Sequence, residues 1–303
     1  MKKIISLSLF VILAVSGCTS LPFIGGGISA GNGLVIEEFK TDFSEVKAGE
    51  PFKIMLKVRN KGTSFARNVV VDLSNSEELQ CMGGCNFYTP ISPPDPESGT
   101  EGESRTCTWN CRAPYDIPYG MSVTYNPLVR ITYQYTSDIV RTITLASQDE
   151  VRNLQDMGRS LSIDPVSTSS GPVSLDLKLH SPVRYWMDQG LISSPMSIDI
   201  MNTGGGITCY PDCFDQNGWN KISIYSQNFL GDILIDECDV GIGSPITLWE
   251  GKSRTIRCNL QIMNMPMTFG QTKKTINMKA EYYYMVTANT AVKAAGTEEN
   301  PLY

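Results

Sequence analysis

Apolar and polar residues alternate through much of the chain after residue 34. The clearest run is Phe52-Lys53-Ile54-Met55-Leu56-Lys57-Val58-Arg59. It sets Phe52, Ile54, Leu56 and Val58 on one face and turns Lys53, Lys57 and Arg59 to water. A period of two is that of a strand with one buried face. Asn60-Lys61-Gly62 makes a turn, and residues 68–73 form the next strand. Strands at 105–110, 128–135 and 141–145 follow, with Ile143 and Leu145 sharing a face. Short strands separated by turn signals predict a β-sandwich.

The second half repeats this order. Val173, Leu175, Leu177 and Leu179 alternate with Ser174, Asp176, Lys178 and His180. A strand at 196–201 runs into Asn202-Thr203-Gly204, which matches Asn60-Lys61-Gly62. Glu250-Gly251-Lys252-Ser253-Arg254-Thr255 matches Glu101-Gly102-Glu103-Ser104-Arg105-Thr106, and residues 279–287 match the strand at 128–135. Matched turns in a matched order indicate a tandem repeat of two copies. Between the copies, Ser147-Gln148-Asp149-Glu150 has the form of a capping box, with Val151, Leu154 and Met157 on one helical face and Gly158 as the stop. Ser167-Thr168-Ser169-Ser170-Gly171-Pro172 then reads as a protease-sensitive hinge.

A strand ending in Asn-x-Gly, a later Gly-x-Ser-x-Thr strand opening and a Tyr-bearing strand resemble the immunoglobulin-like modules of archaeal and bacterial cell-surface proteins. These include the adhesion-type domains called CARDB. The likeness covers 34–145 well and 172–293 less well. It implies a sandwich fold and a surface or adhesive role, with no catalytic residues. The cysteines depart from that pattern. The expected fold class is all-β: two tandem immunoglobulin-like β-sandwich domains, 34–146 and 173–297, joined by a helix and linker at 147–172, with a tail at 298–303.

The start of the chain changes the picture. Lys2 and Lys3 precede an apolar stretch from Ile4 to Val15, which closes with Val15-Ser16-Gly17-Cys18. A basic head, an apolar middle and a small-residue end make an export signal. A cysteine directly after resembles the lipobox of lipoproteins, which implies cleavage after residue 17 and a lipid on the Cys18 sulfur. Residues 18–33, Gly-rich and uncharged, then form a tether. The competing reading is an uncleaved signal anchor, since a helix from Ile4 to Ile24 nearly reaches the roughly 20 residues a bilayer requires. Pro22 and Gly25-Gly26-Gly27 interrupt it. Both readings place the rest of the chain outside the cytoplasm.

The formal charge of the 303 residues is −6, and losing Lys2 and Lys3 takes it to −8. With no basic cluster after the leader, nucleic acid is not an expected partner. Of nine cysteines, eight remain once Cys18 is set aside: Cys81, Cys85, Cys107 and Cys111, then Cys209, Cys213, Cys238 and Cys258. Even numbers in an exported chain read as disulfides. Two zinc sites are the rival. The first four cysteines have suitable spacing, whereas Cys238 and Cys258 stand alone. Residues four apart in a strand are about 13 Å apart, beyond the roughly 7 Å that a disulfide spans. Cys107 and Cys111 must therefore reach back to Cys81 and Cys85. Nested pairs, Cys81–Cys111 and Cys85–Cys107, are favoured by a chain that doubles back, and the crossed pairing stays open. Matching the halves gives Cys238–Cys258 and leaves Cys209–Cys213.

Few residues suggest chemistry. His180 is the only histidine and faces outward by alternation; no Gly-x-Ser-x-Gly or His-Glu-x-x-His is present. Asp212, Asp215, Asn217 and Gly218 resemble a calcium loop, but Cys213 stands where its first aspartate belongs. Asp95, Glu97, Glu101 and Glu103 lie in a Pro/Gly-rich excursion suited to solvent or a partner. Tyr282 and Tyr284 share one strand face and Tyr283 takes the other. No catalytic set, metal site or cofactor is expected. The leading expectation is a non-catalytic, lipid-anchored surface module that recognises a protein or polysaccharide. The alternatives are an accessory subunit of an envelope layer or filament and, more remotely, an exported enzyme.

Overall fold

A computed structural model describes residues 32–85, 87–159, 164–186, 191–227, 233–263 and 270–298. The leader and Cys18, with most of the tether, lie outside the described residues. The chain is mostly β, arranged in several sheets, as an all-β sandwich protein requires. The first half holds β1 (Leu34–Thr41), β2 (Glu45–Lys47), β3 (Pro51–Asn60), β4 (Arg67–Ser74), β5 (Met82–Gly83), β6 (Ser104–Arg112), β7 (Ser122–Tyr125) and β8 (Leu128–Ser147). Helix α1 (Gln148–Asp156) and β9 (Val166–Thr168) follow. The second half holds β10 (Val173–Leu179), β11 (Val183–Tyr185), β12 (Leu191–Asn202), β13 (Ile207–Cys209), β14 (Lys221–Ser226), β15 (Ile233–Asp236), β16 (Pro245–Thr247), β17 (Ser253–Met263), β18 (Gln271–Asn289) and β19 (Val292–Ala295).

One sheet of each half has the same order: β1-β3-β6-β5 in the first and β10-β12-β17-β15 in the second. Alternation sets it. Phe52, Ile54, Leu56 and Val58 of β3 are buried, as are Ile256, Cys258, Leu260 and Ile262 of β17. The facing sheet is common to both halves. All 19 residues of β18 pair antiparallel with β8, from Gln271 opposite Ala146 to Asn289 opposite Leu128.

The strands read from sequence at 128–135 and 141–145 are therefore one strand of 20 residues. Its inward positions turn polar at Ser137 and Arg141, which hides the continuity. Both find partners in the second half: Ser137 Oγ donates to the Val173 carbonyl at 2.6 Å, and Arg141 donates to the Leu177 carbonyl. The last residues of β8 pair with β11, and β19, from the end of the second half, sits between β2 and β7 of the first. Each half thus takes strand material from the other.

The repeat is written in hydrogen bonds. Asn60 Nδ2 donates to the Ser64 carbonyl at 2.8 Å, and Asn202 Nδ2 to that of Gly206 at 2.9 Å. The Tyr135 hydroxyl accepts from Ser64 N at 3.1 Å, and that of Tyr284 from Gly206 N at 2.9 Å. Tyr133 and Tyr282 likewise accept from Leu34 N and Val173 N, the first residues of β1 and β10. Glycine is required in both Asn-x-Gly turns. A Cβ on Gly62 would lie 2.0 Å from the Tyr135 hydroxyl, and one on Gly204 2.2 Å from that of Tyr284.

The four tyrosines meet where the halves join. Tyr133 stands opposite Tyr284 and Tyr135 opposite Tyr282, all at most 1% exposed. Ring centroids lie 5.9–6.4 Å apart in tilted and edge-on arrangements, the favourable geometries for aromatic pairs.

Between the halves, Ser147 caps α1 by accepting from Glu150 N at 3.2 Å. Val151 is buried, but Met157, expected on the packed face, is exposed. The segment read as a hinge is tied down on both sides. β9 pairs with Ile139–Arg141 of β8, and Ser170 N donates to Thr63 Oγ1 at 2.9 Å.

Candidate functional site

The structure joins Cys81 to Cys111, Cys85 to Cys107, Cys209 to Cys213 and Cys238 to Cys258. These bonds fasten the segments around them to the sheets, and the three most exposed apolar side chains among the described residues stand beside them. Met82, 76% exposed, follows Cys81, and Phe214, 88% exposed, follows Cys213. Tyr88, 89% exposed, lies three residues beyond Cys85.

Local bonds hold each aromatic in place. Phe87 turns inward beside the Arg105 guanidinium, 5.6 Å from its ring, while Arg105 grips the Thr89 and Pro90 carbonyls. Tyr88 is thereby directed outward. Phe214 N donates to Asp212 Oδ1 at 3.0 Å, and the Trp219 indole N–H donates to the Cys213 carbonyl at 3.2 Å. Trp249, 72% exposed, tops the turn closed by Lys252 N on its carbonyl. That turn is joined to the Cys213 loop through Asn220, whose N–H reaches Thr208 and whose carbonyl accepts from Leu248 N.

The residues singled out from sequence are placed as follows. His180 is exposed in an open groove of about 490 Å³ with Lys178, Glu237 and Arg257. Asp215 accepts from Asn217 N at 2.9 Å and so, like Asp212, caps its own turn; Gly218 closes that turn on Tyr210 N. Hydrogen bonds from Ser98 and from the Glu97 and Ser98 N–H groups hold the Asp95 carboxyl below its ordinary range. Glu101 pairs with Arg59 at 2.7 Å. Glu103 accepts from Ser92 N and pairs with Arg105. Tyr282 and Tyr284 are core, and Tyr283 faces out, partly exposed. No group of three or more metal-ligating side chains is found among the described residues.

The exposed aromatics were not among the residues singled out from sequence. For Phe214 the signal is a large apolar residue directly after a loop cysteine, as also in Cys81-Met82; Tyr88 and Trp249 carry no such mark. Crosslinking removes conformational freedom that a binding loop otherwise loses on association.

Four disulfides fit an oxidising, extracytoplasmic compartment. No helix among the described residues is long and apolar enough to cross a membrane. Fold and site together define a disulfide-crosslinked all-β protein. Searched against models of known families the chain matches none, and no curated protein matches it.

Proposed function

We propose that this chain is a non-catalytic binding module at the cell surface, held to the membrane by a lipid on Cys18 and built from two immunoglobulin-like sandwiches. The observation that carries the binding role is the set of aromatic side chains held out on fastened loops: Tyr88, Phe214 and Trp249. Tyrosine and tryptophan supply large contact areas at small entropic cost, as rigid recognition loops need. The partner is a protein or polysaccharide of the envelope. Binding of the purified full chain to isolated envelope fragments tests this. The combined variant Tyr88→Ser, Phe214→Ser, Trp249→Ser should weaken binding at least about tenfold. Unchanged binding would overturn the assignment. Cys18→Ser should abolish the anchor, and mass spectrometry of the native N-terminus showing an intact Met1 without lipid would refute it.

A second reading, a subunit of a surface assembly, is favoured by strand β7. It pairs with β19 on one side, carries no charge and exposes Met121 and Val123 at its margin. Soluble proteins usually blunt such edges with lysine or proline. Concentration-dependent oligomers that Val123→Lys abolishes would favour this reading, and a chain monomeric at all concentrations would exclude it.

A further inference from the structure

The shared sheet carries a cleft of about 380 Å³ on its outer face, where β8 runs on past the first residue of β4. That volume lies within the roughly 300–1,000 Å³ of small-ligand sites. Phe65 and Arg67 form one wall, Gln134 and Thr136 of β8 the floor, and Lys279 and Glu281 of β18 the far wall.

Three of the polar groups, on Arg67, Gln134 and Glu281, have partners before any ligand arrives. The Arg67 guanidinium lies 5.8 Å from the Phe65 ring centroid. Gln134 Oε1 accepts from Asn68 Nδ2 at 3.1 Å, which leaves its NH₂ group to donate. The Tyr225 hydroxyl donates to one carboxylate oxygen of Glu281, and the other oxygen remains an acceptor. No salt bridge among the described residues engages Arg67 or Lys279. The Phe65 ring is half exposed.

The mixture of groups selects the ligand. An anion would meet Glu281, and a cation would meet Arg67 and Lys279. An apolar molecule would strip water from all of them without replacing its hydrogen bonds. A polyol satisfies every wall, because each hydroxyl both donates and accepts. The C–H face of a sugar ring also supplies apolar surface to lie on Phe65.

We infer that this cleft binds a neutral hexose unit of a surface polysaccharide. The inference rests on the binding-module reading and gives that module its ligand class. The test is an array of short neutral gluco-, manno- and galacto-oligosaccharides, with oligogalacturonate as the acidic comparison, probed with the full chain in detergent. At least one neutral oligosaccharide should be retained. Phe65→Ala and Glu281→Gln should each weaken retention about tenfold, while Met157→Ser, on the exposed side of α1, leaves it unchanged. The side-chain amide resonances of Gln134 should shift on addition of the retained sugar. Phe65 is at the surface, so its loss leaves the fold intact, and an unchanged Tm confirms this.

Retention of no neutral sugar, retention of the acidic one alone, or retention indifferent to both cleft variants would overturn the inference. If the array is blank while envelope fragments still bind through Tyr88, Phe214 and Trp249, the module reading stands and only the cleft assignment falls. If envelope binding also fails, both fall.

Discussion

The two halves share a frame and differ in how they are stapled. In the first, Trp109 points inward from β6 between Cys107 and Cys111, opposite Ile54 of β3. In the second, Cys258 takes that place in the register, opposite Met196 of β12, flanked by Ile256 and Leu260. The same core position therefore holds an indole in one copy and a crosslink in the other. A second staple, Cys209–Cys213, lies in an excursion that divides the strand equivalent to β4 into β13 and β14. What does not vary is the Asn-x-Gly turn, the tyrosine hydroxyl bonded beside it and the long strand that carries the tyrosine. The frame resides in that network, and the disulfides fasten what is hung on it.

Four experiments would break or sharpen this comparison. The largest effect should come from separating the halves. Produced alone, 34–146 and 173–297 each lack strands supplied by the other, and neither should show a cooperative unfolding transition. After protease nicking at 167–172 the fragments should stay together on a sizing column and part only in denaturant. Two stable, separable fragments would show the halves to be independent.

Gly62→Ala and Gly204→Ala should come next, each costing about 3 kcal/mol in denaturant unfolding, because the added methyl strikes a buried hydroxyl. Unequal costs would mean that the two turns are alike in geometry and not in energy.

The staples should differ by loop length. Cys238→Ser with Cys258→Ser, opening a loop of sequence separation 20, should cost about 3 kcal/mol. The Cys209, Cys213 pair, of separation 4, should cost about 2 kcal/mol. The reverse order would assign the short loop a larger part in the fold.

The smallest effect at neutral pH belongs to the tyrosines, and alkali reveals it. Burial pushes the hydroxyls of Tyr135 and Tyr284 up to about 12 from 10.0, and those of Tyr133 and Tyr282 rise as well. The fold thus favours the neutral form. From about pH 10 to 12 the unfolded chain releases protons that the folded chain keeps, so stability falls as pH rises. Tyrosinate absorbance should show a late step coincident with loss of the fold. A smooth titration of all 13 tyrosines near pH 10 would contradict their burial.

Much of the frame was legible in the sequence because it is local. Alternation in 52–59 and the paired turns at Asn60 and Asn202 each need only neighbouring residues. Strand rise and reach excluded a Cys107–Cys111 bond but left nested and crossed pairings with Cys81 and Cys85 open, and the second four cysteines were paired by matching the halves. The fusion of the halves was not legible, because its evidence lies in inward polar residues. Ser137 and Arg141 interrupt an apolar pattern, and the groups they bond, on Val173, Tyr282 and Leu177, lie far along the chain. The cleft was hidden for the same reason: Arg67, Gln134 and Glu281 line one cleft only once β4, β8 and β18 are side by side.

The crossing of β8 and β18 also governs how the chain carries load. Leu34 opens β1, and β19 closes the described strands beside β2, so both ends of the folded chain are gripped by the first half. The path into the second half and the path back run side by side in one antiparallel ladder. Tension between residue 34, where the proposed tether would pull, and residue 295 therefore acts on the parallel β2–β19 contact in shear. The second half, with Phe214 and Trp249 at its loops, is a side branch outside that line of force.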